Sequence, residues 1–461
     1  MKMRILLYIL YLPFFLAGSA CKKDWLEQKS DKGLSVPQTP ADFQAILDNP
    51  NTMNRSYSYV GNSGTDNIYI SDDVAGTLQE FELNLYLWKK DIPWNNESSS
   101  QWAFPYTVIE CANIALDGIN KLGQKDNAVN NIKGQALFYR AYAYYSTAQV
   151  FCLQYESQTA GTALGLPIRT QPDVNMLAQR SNLQEVYNLI ISDLKQASSL
   201  LPGTTPYYTR PLKVSALAML SRVYLNMQDY QNAKLYADSA LTLKPTLIDF
   251  NDPSQVSNSM AFRFKANGIG NPEILFYAFK YTNNFDQAFL GQGIQASPEL
   301  YSLYEDNDLR KTYFFGKSNN RLNFVGSYTG ARPDFSGIGT NEVYLIRAEA
   351  SARLNLLAQA RTDLNKLLSL RYKTGTAPII TEDNQLALLS IILKERRKEL
   401  PRTGNTRWED LRRLNLDPNF AQTINRIYKG EQYSIEPNSP RYVLPIPNNE
   451  IRMSGITQNQ R

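Results

Sequence analysis

The chain contains no histidine. That removes the serine–histidine and cysteine–histidine catalytic arrangements and most zinc sites. Cysteine is scarce, with three among 461 residues, too few for a disulfide scaffold. Neither sign of charge dominates: 48 Lys and Arg face 43 Asp and Glu, and Lys2 and Arg4 account for part of the excess. So balanced a chain has no electrostatic footprint for nucleic acid. The apolar run from Ile5 to Ala17 falls short of the roughly 20 residues a spanning helix needs. There is no low-complexity tract. What remains is globular in composition, 43% hydrophobic and 20% charged, and long enough to bury a large core. Aromatic residues stand out, with 29 Tyr and 5 Trp. Such rings pair a flat apolar face with a polar handle, which suits binding surfaces.

The N-terminus reads as an export signal. Lys2 and Arg4 form a positive start, Ile5–Ala17 is of signal-peptide size, and small residues Gly18-Ser19-Ala20 precede Cys21. This resembles a bacterial lipobox, which implies cleavage after residue 20 and acylation of Cys21. Several acyl chains would anchor the product stably where one alone binds marginally. Cys111 and Cys152 fall in apolar helical patterns and read as buried thiols, with a bridge between them open in an oxidising compartment.

Helical periodicity then organises most of the chain. Thr39-Pro40-Ala41-Asp42 marks a helix start. Amphipathic helices are predicted over Phe104–Leu122, Ala128–Phe151, Leu183–Leu201, Val214–Met227 and Tyr230–Leu243. In the last pair Leu217, Leu220, Ser221, Tyr224, Ala233, Ala240 and Pro245 fall at the offsets of a tetratricopeptide repeat, with Gln228-Asp229 as the turn. Such repeats build stiff scaffolds. Trp102 and Tyr106 open the first helix and read as core. Glu273–Phe279 alternates as a strand, and Ser297 caps a short helix at Pro298.

Two stretches lack periodicity. From Asn51 to Gln101, Tyr57, Tyr59, Tyr69, Trp88 and Trp94 are interleaved with Asp66, Asp72, Asn95, Asn96 and Glu97. From Phe250 to Gly339 the chain is rich in Asn, Gly, Tyr and Phe. Long irregular stretches in a compact domain are usually functional. An aromatic platform beside Asp and Asn matches a sugar ring, which offers an apolar C–H face and a rim of hydroxyls. Tyr69, Asp72, Trp88, Trp94, Asn95, Tyr313 and Tyr328 are the expected ligand contacts. No cofactor and no metal is implied.

Towards the C-terminus, Ile391–Leu400 is amphipathic and carries Arg396 within its apolar face. Pro401 ends it and Gly404 allows the turn that follows. A charge on a buried face needs a partner, and Glu399 and Asp410 are the near candidates for Arg396 and Arg407. Arg347 and Glu349 read as a further pair. The segment Arg396-Arg397-Lys398-Glu399-Leu400, followed by Gly404 to Arg413, resembles the R-x-x-E-L and G-x-R-x-x-D-L-x-R signature of the SusD/RagB family of outer-membrane nutrient-binding lipoproteins. Asn405 and Thr406 separate Gly404 from Arg407, where the family has one residue or none. Asn341–Ala350 resembles the family's E-x-Y-L-x-R-A-E-A, and Leu444-Pro445-Ile446-Pro447 its closing segment.

The resemblance implies a mostly α fold: tetratricopeptide-like helix pairs forming a right-handed helical scaffold, with long irregular loops and minor β making the ligand face. It implies an export signal over 1–20, an N-terminal region over 21–245 and a C-terminal region over 246–461, intertwined in one globular unit. It further implies a surface-exposed lipoprotein of the outer membrane, held there by its lipid anchor. That protein would bind an oligomeric nutrient, most often a glycan, without catalysis and deliver it to a SusC-like TonB-dependent transporter. The competing readings are a lipid-anchored repeat scaffold, peptide in place of glycan, and a glycoside hydrolase. The hydrolase needs two carboxylates at a defined separation, and the spacing of Asp72, Asp73 and Glu97 supplies no such pair.

Overall fold

A computed structural model of the chain describes residues 36–55, 57–95, 100–173, 175–280, 294–318 and 320–461. Cys21, Asn96 and Glu97 lie outside them. Of the N-terminal unit Met1–Thr39, residues 36–39 are described and have no regular structure. Pro40–Arg461 form a compact unit of their own.

Its backbone is a run of packed helices. They are α1 (Pro40–Leu47), α2 (Ser100–Leu122), α3 (Asn127–Phe151), α4 (Leu183–Leu200), α5 (Lys213–Asn226) and α6 (Tyr230–Leu243), then α7 (Thr340–Arg353), α8 (Leu357–Leu368), α9 (Gln385–Glu399) and α10 (Thr406–Leu414). Their starts are chemically marked. Asp126 accepts from the Val129 amide at the head of α3, and Asp229 accepts from Asn232 at the head of α6. Asn182 and Glu185 form a reciprocal capping box on α4, which satisfies two orphan donors at once. Gln228 adopts a left-handed φ of 61° in the turn between α5 and α6. Ala233, Ala237 and Ala240 are fully buried, so α6 lies close on its neighbours, with the Tyr224 and Tyr236 rings stacked 5.4 Å apart.

Each helix packs on the next from α2 to α6, and α6 then packs on α7. The irregular stretch between α6 and α7 is thus an excursion from a continuous helical layer. The long helix α3 is deeply buried: every residue from Gly134 to Phe151 is inside. Among the described residues the strands come in antiparallel pairs only. They are β1 (Ile68–Ile70), β2 (Leu164–Pro167), β3 (Arg180–Asn182), β4 (Ile274–Phe276), β5 (Ile294–Ala296), β6 (Phe315–Ser318), β7 (Arg321–Phe324), β8 (Ile338–Gly339), β9 (Ile424–Tyr428) and β10 (Glu431–Ile435). The strand expected over Glu273–Phe279 is shorter, because only Ile274 and Phe276 meet β8 before Phe279 bridges to Phe335 instead. Cys111 and Cys152 are both free.

A buried lattice of arginines and carboxylates ties the C-terminal helices to the layer. Arg396 on α9 meets Asp410 on α10 at 2.9 Å and Glu342 on α7 at 3.4 Å. Glu342 also pairs with Arg222 on α5. Arg413 grips Glu349 with two bonds and Asp410 with another. Glu399 takes Arg371, Arg310 and Asn341. Two expected pairings are corrected. Arg407 bonds Asp66, distant in sequence, at 2.7 Å through both Nε and Nη2. Arg347 pairs with Asp363 and Asp238, while Glu349 belongs to Arg413. Side chains three and four apart on a helix are neighbours, but a helix face buried against other helices finds its partners there.

Candidate functional site

The junction between α9 and α10 reaches out of the helical layer and holds a loop. Arg407 and Arg397 both engage the Asp66 carboxylate. Arg397 also donates to the Asn67 side chain at 2.8 Å, and Asn67 donates to the Pro401 carbonyl. Burial by itself raises the Asp66 carboxyl, but the two guanidiniums outweigh it and hold it well below the usual carboxylate range. The 3-10 turn Val60–Gly64 packs beneath. A Cβ on Gly61 or Gly64 would sit 2.5 or 2.6 Å from the Trp408 ring, so only glycine lets α10 close on this turn.

From that fixed point the chain enters β1. Ile68 and Ile70 point inward and Tyr69 points out, its side chain among the exposed aromatics at 43%. This alternation is the two-residue period of a strand. Directly across is Gln295 of β5. Gln295 accepts from the Leu322 amide of β7 at 3.2 Å. The exposed Asp72 accepts from the Lys429 amide, in the turn joining β9 and β10, at 3.1 Å. Asp73 pairs with Arg321 of β7 at 3.1 Å. One tyrosine ring therefore stands on a short sheet, with the Asp72–Asp73 turn beside it latched to two separate hairpins. Its rim offers donors and acceptors from Gln295, Arg321, Asp72 and Asp73. Both carboxylates are already engaged. Among the described residues there is no group of three or more metal-binding side chains.

Of the expected contacts, Tyr69 and Asp72 share this face. Trp88 does not. Its indole is 1% exposed, donates to the Gly64 carbonyl at 2.9 Å, and lies 4.2 Å from the Arg426 guanidinium. Trp94 is packed between Phe81 and Phe151, with its N–H on the Pro445 carbonyl at 2.7 Å. It joins the early loop to the C-terminal segment. Asn95 bonds Gln79. Tyr313 is half-buried against Phe250. Tyr328 is 8% exposed and donates to Glu273 inside the arginine lattice. Tyr313 and Tyr328 thus both join the core under the second irregular stretch. Gln295 and Arg321 were missed, because no spacing marks them: they reach the face only through strand pairing.

Two family models match the chain. One, described as starch-binding and associating with the outer membrane, covers residues 24–225, and the other, described as the SusD family, covers residues 263–461. The chain belongs to the SusD family. A SusD-like protein, P2 of Formosa agariphila, is 24% identical over 94% of this chain and 95% of its own. Among solved structures, a SusD superfamily protein from Bacteroides thetaiotaomicron superposes with a TM-score of 0.73 at 23% identity, over 92% of this chain and 100% of that one. A putative sugar binding protein from Bacteroides vulgatus gives a TM-score of 0.73 at 22% identity, over 92% and 99% of the two chains. These likenesses establish the SusD fold, mostly α with a tetratricopeptide-like scaffold. Among the described residues of this SusD-family chain, no helix is long and apolar enough to cross a membrane.

Proposed function

We propose that the chain is a surface lipoprotein of the outer membrane that binds an oligosaccharide on the Tyr69 face and passes it to a SusC-like TonB-dependent transporter. The observation that carries this reading is the exposed Tyr69 ring on a sheet anchored by Asp66, rimmed by Asp72, Gln295 and Arg321. Such a ring stacks on the C–H face of a sugar while the rim takes up its hydroxyls. Preorganisation matters here, because a platform already fixed loses little entropy on binding. A single ring with a polar rim holds a ligand weakly enough to release it. With Asp72 and Asp73 committed to a backbone amide and to Arg321, the face supports binding and delivery rather than hydrolysis. The starch-binding description of the N-terminal match and the sugar-binding relative in Bacteroides vulgatus support a glycan as the ligand. Anchorage is assigned to Cys21, exposed after removal of residues 1–20.

The test is a glycan-array and affinity-gel screen of the purified chain, repeated with Tyr69→Ala. Retention by at least one oligosaccharide is expected, weakened about tenfold in the variant. Retention by none, with capture of envelope proteins instead, would turn the reading toward an assembly scaffold.

A further inference from the structure

Away from the Tyr69 face, and sharing no residue with it, a cavity of about 420 Å³ opens between the first half of α2, the segment joining β2 to β3, and the short helix Asn448–Ser454. That volume is within the range of ligand pockets. Its wall is aromatic: Trp102 and Tyr106 lie 5.3 Å apart, and the Tyr106 hydroxyl is fixed on the Pro167 carbonyl at 2.9 Å. Its rim is apolar and open to solvent, for Leu177 and Met453 are 69% and 75% exposed. Unbranched methionine adapts to varied apolar partners.

Two carboxylates, Glu110 and Glu450, line this cavity. Many of the acids inside the fold are held by arginine: Asp66, Asp193, Glu342, Glu349 and Glu399 each have one. Neither Glu110 nor Glu450 makes a side-chain hydrogen bond or an ion pair among the described residues, although each is half-buried. Arg169 is also in the wall, but it donates to the Asp173 carbonyl and its buried Nε has no partner. Burial raises the Glu110 carboxyl above its ordinary value against the pull of Arg169. The cavity therefore presents acid beside an apolar surface, with Arg169, the cation among its described lining residues, committed through one donor to the Asp173 carbonyl.

We propose that this cavity is a second binding site, for a polypeptide segment presenting a lysine or arginine side chain. The alkyl stem lies on the Trp102–Tyr106 wall, the cationic head meets Glu110 and Glu450, and flanking apolar side chains cover Leu177 and Met453. A long basic side chain has this division into apolar stem and charged tip. An amine-bearing sugar would satisfy the acids but leave the Leu177–Met453 rim in water, so the rim favours the peptide.

The test uses the full-length chain purified in a mild detergent, titrated calorimetrically with N-acetyl-Leu-Lys-Leu-amide. The same peptide with norleucine for lysine, and a chitosan tetramer, serve as controls. Binding of the lysine peptide is expected. It should weaken about tenfold in the norleucine peptide and about tenfold in the E110Q/E450Q variant, whose melting temperature should match the parent because neither acid holds another residue. Equal binding of the norleucine peptide, no binding of the lysine peptide, or binding of the chitosan tetramer alone would each overturn the proposal. The norleucine comparison stands even if the double variant fails to fold. Glycan retention on the Tyr69 face is read separately, so the two proposals fail independently.

Discussion

Trp88 and Tyr69 show how little an aromatic residue's neighbours in sequence say about its place. Both follow an apolar residue in the same irregular stretch, Ile68 before Tyr69 and Leu87 before Trp88, yet one ring is inside and the other outside. Trp88 has a left-handed φ of 52°, which turns its indole under the Val60–Gly64 turn. There the Arg426 guanidinium lies between the Tyr86 and Trp88 rings, 3.7 and 4.2 Å from their centroids. Among the described residues that arginine bonds only backbone carbonyls, of residues 63, 65 and 86, and burial pulls its pKa down to about 10. Aromatic faces supply what a carboxylate supplies elsewhere in this core. Trp88→Ala should therefore destabilise the fold by about 3–5 kcal/mol, seen as a lower urea midpoint, with any loss of glycan binding following from unfolding. Tyr69→Ala should leave the midpoint unchanged to within about 0.5 kcal/mol while weakening glycan retention. An unchanged midpoint for Trp88→Ala would contradict the burial described.

At the scale of elements, the α9–α10 junction links the SusD-family signature to the candidate site. Its arginines face two ways, inward to the helical lattice and outward to Asp66. Asp66→Asn would leave Arg407 and Arg397 without a carboxylate in a largely dry setting, at a cost of about 3 kcal/mol. The pH dependence has a definite sign. The folded Asp66 carboxyl lies below its ordinary 3.8, so its contribution is fully present above that value and is lost as pH falls towards the folded one. Urea melts of parent and variant should differ most near neutrality and converge below about pH 4. A gap that stays constant on acidification would remove Asp66 from this role. Glycan retention should fall with Asp66→Asn too, because the junction is what fixes β1.

Across the whole molecule, the lattice crosses what the chain order separates. Arg222 on α5 meets Glu342 on α7, Tyr145 on α3 donates to Glu409 on α10, and the Leu444 amide reaches the Val150 carbonyl at the end of α3. Residues 40–245 and 246–461 share these buried groups, and cutting one side would strand charges on the other. Calorimetry of the purified chain should accordingly show one unfolding transition for Pro40–Arg461, where two separable transitions would argue for independent halves.

The helical layer was legible from the residues alone. Apolar side chains at helical spacing placed α2 to α6 to within a few residues, because that signal is local. The signature around Arg396 was equally legible, as was the need to neutralise a buried guanidinium. Which carboxylate answers Arg407, and which aromatic stands in water, depended on groups hundreds of positions away. Strand pairing brought Gln295 opposite Tyr69, and the Gly64 carbonyl and the Arg426 guanidinium hold the Trp88 indole inside. Pattern along a chain encodes a face; what meets that face is decided by packing in three dimensions.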